Sequence, residues 1–316
     1  MACEFEFQTY TSEYKRAWDT FVDTSRNGTF LFRRDYMDYH SDRFADASLI
    51  ATRKGRPVAL LPACHAPEHS VSSHAGLTYG GWILPPLHLD GAAVLTLFDE
   101  WLAYCKAQHF TKIIYKPVPY IYASKPSQEE LYALWRTGFQ KSAVLLSSAI
   151  DLRTDWKFDM SKRRQVRMAQ KDEFIISRSY DFAGYWQLLC QCLAERHGVS
   201  PVHSVEEILQ LSEHFPDNIK LYTLCDAEGL QAGVCVYDTG RVAHAQYAAT
   251  SAKARSKYYL TALYNHLLTE VSADRHYFDF GTSNEDAGRY LNAGLLNQKF
   301  AMGGSGVVYE QYIRNL

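Results

Sequence analysis

Residues 220–237 have the sequence KLYTLCDAEGLQAGVCVY, in which two apolar runs flank the turn sequence DAEG at residues 226–229. Runs of this kind on either side of such a turn predict an antiparallel hairpin. A third apolar run, at residues 242–249, extends the predicted sheet. Leucine and valine then recur at spacings of three and four over residues 260–271, which indicates a helix, and residues 276–280 form a short aromatic strand.

The first half of the chain repeats this order of elements. Its predicted members are strands at residues 47–52 and 58–63 around the turn sequence KGRP, a strand ending near Tyr79, a helix at residues 94–105 and a strand at residues 112–116. Helices at residues 11–24 and 182–197 precede the two units, and Ser204 starts another helix with the spacing of a capping box. This duplicated order predicts an α/β fold with mixed sheets in two similar domains, residues 1–155 and 156–316.

Composition excludes several classes of protein. The 316 residues include 33 Lys and Arg against 35 Asp and Glu, and this net charge of −2 lacks the basic excess of a dedicated nucleic-acid binder. The sequence contains no run of 18 apolar residues, so we expect no membrane span. The first residues have no basic flank and no apolar run, so we expect no secretory signal. Seven scattered cysteines fit reduced thiols, so we expect a cytoplasmic protein.

Three short segments carry a resemblance to a known family. They are KRRQVRMA at residues 162–169, FDFGTS at residues 278–283 and NQKFAMG at residues 297–303. With the duplicated order, they resemble the Fem-like (FemAB-type) branch of the acyl-CoA N-acyltransferase (GNAT) superfamily, in which two such domains stand in tandem. The resemblance implies transfer of an acyl group to an amine, with a coenzyme A thioester such as acetyl-CoA as the donor.

The resemblance also implies where the donor binds. In the superfamily the thioester lies where two neighbouring strands separate, and its pyrophosphate sits at the start of the next helix, where unpaired N–H groups favour an anion. The matching residues of the second half are Ser251, Lys253, Arg255, Ser256 and Lys257. This segment departs from the glycine-rich pattern, because no glycine lies between Gly240 and Gly281. The first half has no cation before its helix, so we expect the first domain to bind no cofactor.

Four residues are candidates for catalysis. The resemblance points to Lys299, whose charge can stabilise a developing oxyanion, although a solvated lysine at a strand edge is the plain alternative. Asp279, in an apolar strand, is a candidate general base with a raised pKa or merely a cap for a backbone group. His244 is a competing base, and Tyr247 either protonates the leaving thiolate or packs in the sheet. Because strand side chains alternate, we expect His244 and Tyr247 on opposite faces.

Other candidates bind ligands rather than react. Gly281, Ser283 and Asn284 follow the aromatic strand at the end where ligands commonly bind, although serine and asparagine are also common in turns. The basic run at residues 162–171 is interpreted as the solvated face of a helix, with contact to an anionic ligand as the alternative. His65, His69 and His74 lie in a polar loop, and we expect no metal site there.

The predicted function is therefore an acyltransferase acting on an amine, with an amino sugar or another cell-envelope precursor as the acceptor that the resemblance implies. One alternative is a non-catalytic protein of the same fold that binds a glycan or peptide. Another is an aminoacyl-tRNA-dependent transferase. Members of the family that use aminoacyl-tRNA often carry a long helical arm in the second domain, and no stretch of that length occurs here. The net charge is also near zero, so we expect neither tRNA nor DNA as a partner.

Overall fold

The computed structural model describes residues 3–316, except for the side chains of residues 196 and 197. The chain forms two compact units. Unit 1 contains residues 3–146, Asn284–Tyr290 and Val308–Leu316, and unit 2 contains Ser147–Ser283 and Leu291–Val307. The predicted boundary at residues 155 and 156 lies close to the first change of unit, but a single boundary misses the later changes.

The described residues of the first half form seven strands and four α-helices. The strands are β1 Glu6–Thr9, β2 Leu49–Arg53, β3 Arg56–Leu61, β4 Cys64–Ala66, β5 Ser70–Ser72, β6 Lys112–Tyr115 and β7 Gln140–Asp151. The helices are α1 Lys15–Thr24, α2 Arg34–Met37, α3 Gly91–Ala107 and α4 Glu129–Arg136. The predicted hairpin and helix are confirmed in β2, β3 and α3. The expected strand ending at Tyr79 is wrong, because the chain forms the short hairpin β4–β5 before it, within the region assigned to a polar loop.

In the second half, the part of the chain that the structure describes forms eight strands and six α-helices. The strands are β8 Ile175–Ser179, β9 Ile219–Asp226, β10 Gly229–Asp238, β11 Val242–Thr250, β12 Tyr277–Thr282, β13 Asn284–Glu285, β14 Tyr290–Leu291 and β15 Ser305–Asn315. The helices are α5 Met160–Ala169, α6 Phe182–His197, α7 Val205–His214, α8 Ala252–Ser256, α9 Tyr259–His266 and α10 Ala293–Ala301. A π-helical turn, Leu267–Val271, prolongs α9. The capping box at Ser204 is confirmed.

Unit 1 has an aromatic core beneath α3. Strands β1, β2 and β3 form an antiparallel sheet, β5 pairs in parallel with β6, and Tyr312 of β15 pairs antiparallel with Tyr115 of β6. The apolar face predicted for α3 is buried, and Trp101 packs edge-on against Trp82 with ring centroids 5.7 Å apart. Residues 308–315 of β15 therefore contribute a strand beside β6 to the first unit.

Unit 2 is a mixed sheet covered on both faces. Its strand order runs from residues 147–151 of β7 through β12, β11, β10 and β9 to β8, and only the β11–β12 pair is parallel. Helices α5 and α9 join the core that contains Val234 and Val236, while Tyr185 of α6 lies over Gly233 on the other face. Among the described residues, no helix is both long and apolar enough to span a bilayer.

A buried acid in unit 1 makes stability depend on pH. Glu130 is 1% exposed, and burial raises its pKa to about 8, while the Tyr115 hydroxyl donates to its Oε2 at 2.6 Å. Since the folded state holds this proton more tightly than the unfolded state, its stabilising effect is complete below the ordinary pKa and is lost as pH rises towards 8. We expect Glu130→Gln, which cannot ionise, to gain roughly 3 to 4 kcal/mol relative to wild type between about pH 5 and pH 8. Urea unfolding across that range measures the difference, and parallel curves for the two proteins would contradict it.

Candidate active site

Strands β11 and β12 separate at one point in unit 2. Their parallel pairing covers only Val242 with Tyr277, Ala243 with Phe278 and His244 with Asp279. Beyond that pair, β11 continues to Thr250 and β12 to Thr282 without pairing to each other. Unpaired strand edges expose backbone donors and acceptors to a ligand. The expected opening between neighbouring strands is therefore present, and His244 and Asp279 stand at its apex.

Asp279 is completely buried, and its carboxylate has defined partners on both oxygens. Its Oδ1 accepts hydrogen bonds from the Ser147 hydroxyl at 2.6 Å and from the Gly281 backbone N–H at 2.9 Å. Its Oδ2 lies 3.1 Å from Nδ1 of His244. These contacts fix the carboxylate in orientation, which suits a group that positions its neighbour.

His244 is the member of this pair that solvent reaches. Its side chain is 14% exposed, whereas that of Asp279 is 0% exposed. A carboxylate opposite Nδ1 favours the tautomer that carries a proton on Nδ1, which leaves Nε2 as an acceptor. Gly281, with a φ of +79°, passes beside this ring, and a Cβ there would lie 3.4 Å from Cε1 of His244. Glycine therefore permits the left-handed backbone conformation, while the imidazole lies within ordinary contact distance of this position.

Lys299 lies on α10, not at the strand edge of the plain alternative, and it is 6% exposed. Its Nζ donates to the carbonyl oxygens of Gly281 and Thr282, both at 2.8 Å. Burial lowers the pKa of Lys299 to about 8, although the negative charge of Asp279 opposes that shift. The ammonium is thus held next to the end of β12, and the structure brings His244, Asp279, Gly281 and Lys299 together.

A β-bulge changes the expected relation between His244 and Tyr247. Tyr247 pairs with Cys235 and His244 with Tyr237, with a register shift between them. Cys235 and Tyr237 are two residues apart and share a face, so their partners also share one. The prediction of opposite faces is therefore wrong, because the extra residue in β11 reverses the alternation.

Tyr247 has an unforeseen neighbour on this face. Its hydroxyl lies 2.5 Å from Nδ1 of His203, and the Trp186 ring stands edge-on to it with centroids 5.1 Å apart. The Trp186 indole donates to the His203 carbonyl oxygen at 3.1 Å, which fixes the segment that carries this histidine. No motif or periodicity in the sequence singles out His203.

The residues expected to bind pyrophosphate are engaged within unit 2. Lys253 pairs with Asp226 and Glu228, both at 2.7 Å, and these carboxylates raise its pKa. Lys257 pairs with Asp172 at 3.3 Å. The Arg255 guanidinium donates to the Thr250 carbonyl oxygen at 3.1 Å, and the Ser256 hydroxyl donates to the Lys253 carbonyl oxygen at 2.8 Å.

Ser251 caps α8, a helix of only five residues. Its hydroxyl accepts a hydrogen bond from the Ala254 N–H at 3.0 Å and donates to Gln231 at 2.6 Å. The segment therefore has cations at the expected place, but most of its polar groups already have partners in the protein. Assignment of these five residues to a cofactor stays a prediction.

The two polar residues after β12 differ in their surroundings. Ser283 is 1% exposed, and its hydroxyl has no hydrogen-bond partner among the described residues. Asn284 belongs to unit 1, where its amide oxygen accepts from the Leu146 N–H at 2.5 Å and its Nδ2 donates to the Gly288 carbonyl oxygen at 3.3 Å. These bonds give Asn284 a structural role, whereas a role in substrate binding stays a prediction for both residues.

Other candidate sites are less informative. A cavity of about 560 Å³ in unit 1 has both signs of charge in its lining, and Arg26 and Arg53 there pair with Glu129 and Glu4. This balance favours no ligand class. His74 is buried and stacks on His40 with ring centroids 5.0 Å apart, while His65 is exposed on β4. Among the side chains that the structure describes, which exclude those of residues 196 and 197, no three His, Cys, Asp or Glu residues form a group able to hold a metal ion.

The structure is similar throughout its length to several solved structures. It matches FemX at 13% identity, with 98% of this chain and 97% of that chain covered and a TM-score of 0.69. It matches the C-terminal domain of a putative lysylphosphatidylglycerol synthetase from Agrobacterium fabrum at 10% identity, covering 96% and 92%, with a TM-score of 0.61. A tandem GNAT protein from the clavulanic acid biosynthesis pathway matches at 13% identity, covering 99% and 98%, with a TM-score of 0.54.

Similarity at 10–13% identity establishes the fold. No protein-family model matches the sequence, and no curated protein matches it. The chain therefore has the tandem, Fem-like GNAT fold, and the fold class that we predicted from the duplicated order of elements is confirmed.

Proposed function

We propose that this protein is a transferase that moves an acyl or aminoacyl group from an activated carboxyl donor to an amine. The observation that carries the proposal is the contact of His244 with the buried Asp279 at the point where β11 and β12 separate, with the Lys299 ammonium nearby. A base, a group that orients it and a fixed cation are what acyl transfer requires. The tandem GNAT fold supports the proposal.

In the proposed reaction, the acceptor amine attacks the carbonyl carbon of the donor directly, and no covalent enzyme intermediate forms. Nε2 of His244 takes a proton from the attacking amine. Lys299 stabilises the negative charge that develops on the carbonyl oxygen. The carbon–sulfur or carbon–oxygen bond of the donor then breaks, and Tyr247 protonates the leaving group. Holding both substrates in the opening between the strands supplies much of the acceleration.

Asp279 suits a positioning role better than the role of base. It is 0% exposed, and its two oxygens already face three polar hydrogens, those of Ser147, Gly281 and His244. An acceptor amine has no free carboxylate oxygen to approach. We therefore assign proton transfer to His244 and orientation of its imidazole to Asp279, as in other histidine–carboxylate pairs.

Two donor classes fit the proposed reaction. A coenzyme A thioester, placed at Ser251–Lys257 by the resemblance, has to displace the ion pairs of Lys253 and Lys257 or bind beside them. The second candidate donor is an aminoacyl ester, which makes no pyrophosphate contact at this segment. The ion pairs favour it because both lysines already have acidic partners. The acceptor that we propose is a primary amine, with an amino sugar or a cell-envelope precursor as the class to test first.

Thermal unfolding with coenzyme A or acetyl-CoA separates the two donors. A ligand at about 100 times its Kd stabilises the folded state by roughly 2.7 kcal/mol, so a thioester donor raises Tm by several degrees. We expect Arg255→Ala to abolish this shift, because the other two cations of the proposed phosphate segment, Lys253 and Lys257, form close ion pairs with acids. Arg178→Ala is the matched control, since Arg178 also donates to a backbone carbonyl oxygen, that of Pro216 at 2.6 Å, but lies on β8.

An unchanged Tm at millimolar cofactor would contradict the thioester and leave the aminoacyl donor. Transfer itself is measured by mass spectrometry of a panel of amines incubated with the protein and each donor class. If the protein binds an amino sugar or a peptide but forms no product with either donor, the alternative function applies, that of a non-catalytic binding protein with the same fold.

A further inference from the structure

Helix α5 has one buried face and one exposed face. Lys162, Val166 and Ala169 are buried, and Val166 and Ala169 join the core of unit 2 that also contains residues of α9. On the opposite side, Met160, Arg164 and Arg167 follow one another at spacings of four and three, which places them along a single stripe, and Lys171 lies in the turn just after the helix. All four are exposed, as is Met168 beside them. We refer to these five residues, with Arg163, as the α5 outer face.

The cations of the α5 outer face lack acidic partners. Arg163, Arg164, Arg167 and Lys171 make no side-chain hydrogen bond or ion pair with any side chain or backbone group that the structure describes. By contrast, Arg153, another exposed cation of unit 2, forms an ion pair with Asp151. The carboxylate of Asp159, at the start of the helix, accepts from the Lys162 N–H at 2.7 Å. The other nearby acids are Asp155, Asp172 and Glu173, and Asp172 pairs with Lys257.

Apolar side chains stand among these cations. Met160 is 79% exposed and Met168 is 41% exposed. Phe300, on α10, is 71% exposed, and the next residue, Ala301, accepts a backbone hydrogen bond from Asp159 at 2.9 Å. The end of α10 is therefore attached to the start of α5. Large exposed apolar side chains grouped with unpaired cations mark an interaction surface rather than an ordinary solvated helix.

We propose that the α5 outer face, with Phe300, docks the protein on an anionic lipid membrane. The cations complement acidic headgroups, and the methionines and phenylalanine can enter the boundary between headgroups and acyl chains. The net charge of −2 supplies no general attraction to an anionic surface, so attraction depends on this local cluster. A surface for single-stranded nucleic acid relies on several stacking aromatic rings, whereas this one has a single ring. The proposal is independent of the transfer reaction.

Co-sedimentation with vesicles tests the proposal. We expect the full chain to bind vesicles of phosphatidylglycerol and phosphatidylcholine in equal parts, not those of phosphatidylcholine alone, and to bind less as salt increases. Each cation near an anionic surface contributes about a fivefold change in partition. Arg164→Glu with Arg167→Glu should therefore weaken binding by at least about 20-fold. Met160→Ser with Phe300→Ser should weaken it as well, with the salt dependence retained.

The matched control reverses Lys54 and Arg56, two exposed cations of the β2–β3 turn, and so changes net charge by the same amount. This control should bind like wild type, and circular dichroism checks that each variant is folded. Equal loss of binding in the control, or equal binding to both vesicle types, would overturn the proposal. Binding of unfractionated tRNA that the Arg164 and Arg167 reversals abolish, without any vesicle binding, would assign the surface to nucleic acid instead.

Discussion

Lys299→Met is expected to lower kcat for acyl transfer by about 100- to 1,000-fold, the usual effect of removing one charge-stabilising donor from an acyl-transfer site. Methionine preserves the length and much of the volume of the side chain but removes the ammonium that donates to Gly281 and Thr282. We expect KM to change much less than kcat, because the interaction strengthens as the oxyanion forms. Steady-state kinetics with the amine identified by the product assay measures both.

Lys162→Met is the matched control for this substitution. Lys162 is another buried lysine of unit 2, 8% exposed, and burial also lowers its pKa, but its Nζ contacts Gln165 at 3.2 Å. It should alter stability and leave kcat unchanged, and an equal loss of rate in both variants would show that Lys299 acts only through folding. In wild type, the rate should decline as pH rises above about 8, since Lys299 then loses its proton.

Asp279→Asn is expected to reduce kcat by about 100- to 10,000-fold. The amide removes the negative charge opposite Nδ1 of His244, so the imidazole loses its preference for the tautomer that carries the proton on Nδ1. A purely structural role would leave the tautomer unaffected. Nitrogen NMR of His244 distinguishes the two, because it reports whether the proton moves from Nδ1 to Nε2.

Ser147→Ala is the control for Asp279. It removes one of the three hydrogen bonds to the carboxylate and leaves the contact with His244 in place. We expect a loss of about 1 to 3 kcal/mol in the free energy of unfolding and less than about a tenfold change in kcat. If Ser147→Ala reduces the rate as much as Asp279→Asn, the His244–Asp279 contact is not what sets the rate.

Local patterns predicted most elements of the fold because each burial pattern lies within a few turns of chain. The apolar face of α3 and the β9–β10 hairpin are of this kind. Strand β7 is different: its first residues are exposed, and continuous burial begins only at Ser147, so no regular alternation marks it. The start of helix α10 does have a local signal, because Asn292 caps the helix by accepting a hydrogen bond from the Leu295 N–H at 3.0 Å. The segment NQKFAMG, most of which lies in this helix, is interpreted from the sequence as a family motif and not as a helix.

The candidate site shows the same limit. The segments FDFGTS and NQKFAMG singled out Asp279 and Lys299, but the sequence could not show that both contact Gly281 or that Asp279 contacts His244. The bulge in β11 depends on pairing with β10, so alternation within one strand could not reveal that His244 and Tyr247 share a face. The cations of residues 253–257 were visible, whereas their partners Asp226 and Asp172 are distant in sequence.

The pairing of β15 with β6 has a consequence for folding during synthesis. Residues 308–316 belong to unit 1, yet all of unit 2 is translated before them. At about 5–20 residues per second, the ribosome needs roughly 10 to 30 s to make the intervening residues. During that interval the edge of β6 has no final partner, and unpaired strand edges recruit other chains. A nascent chain stalled before residue 308 is therefore a natural substrate for chaperones, even though most of unit 1 was made first.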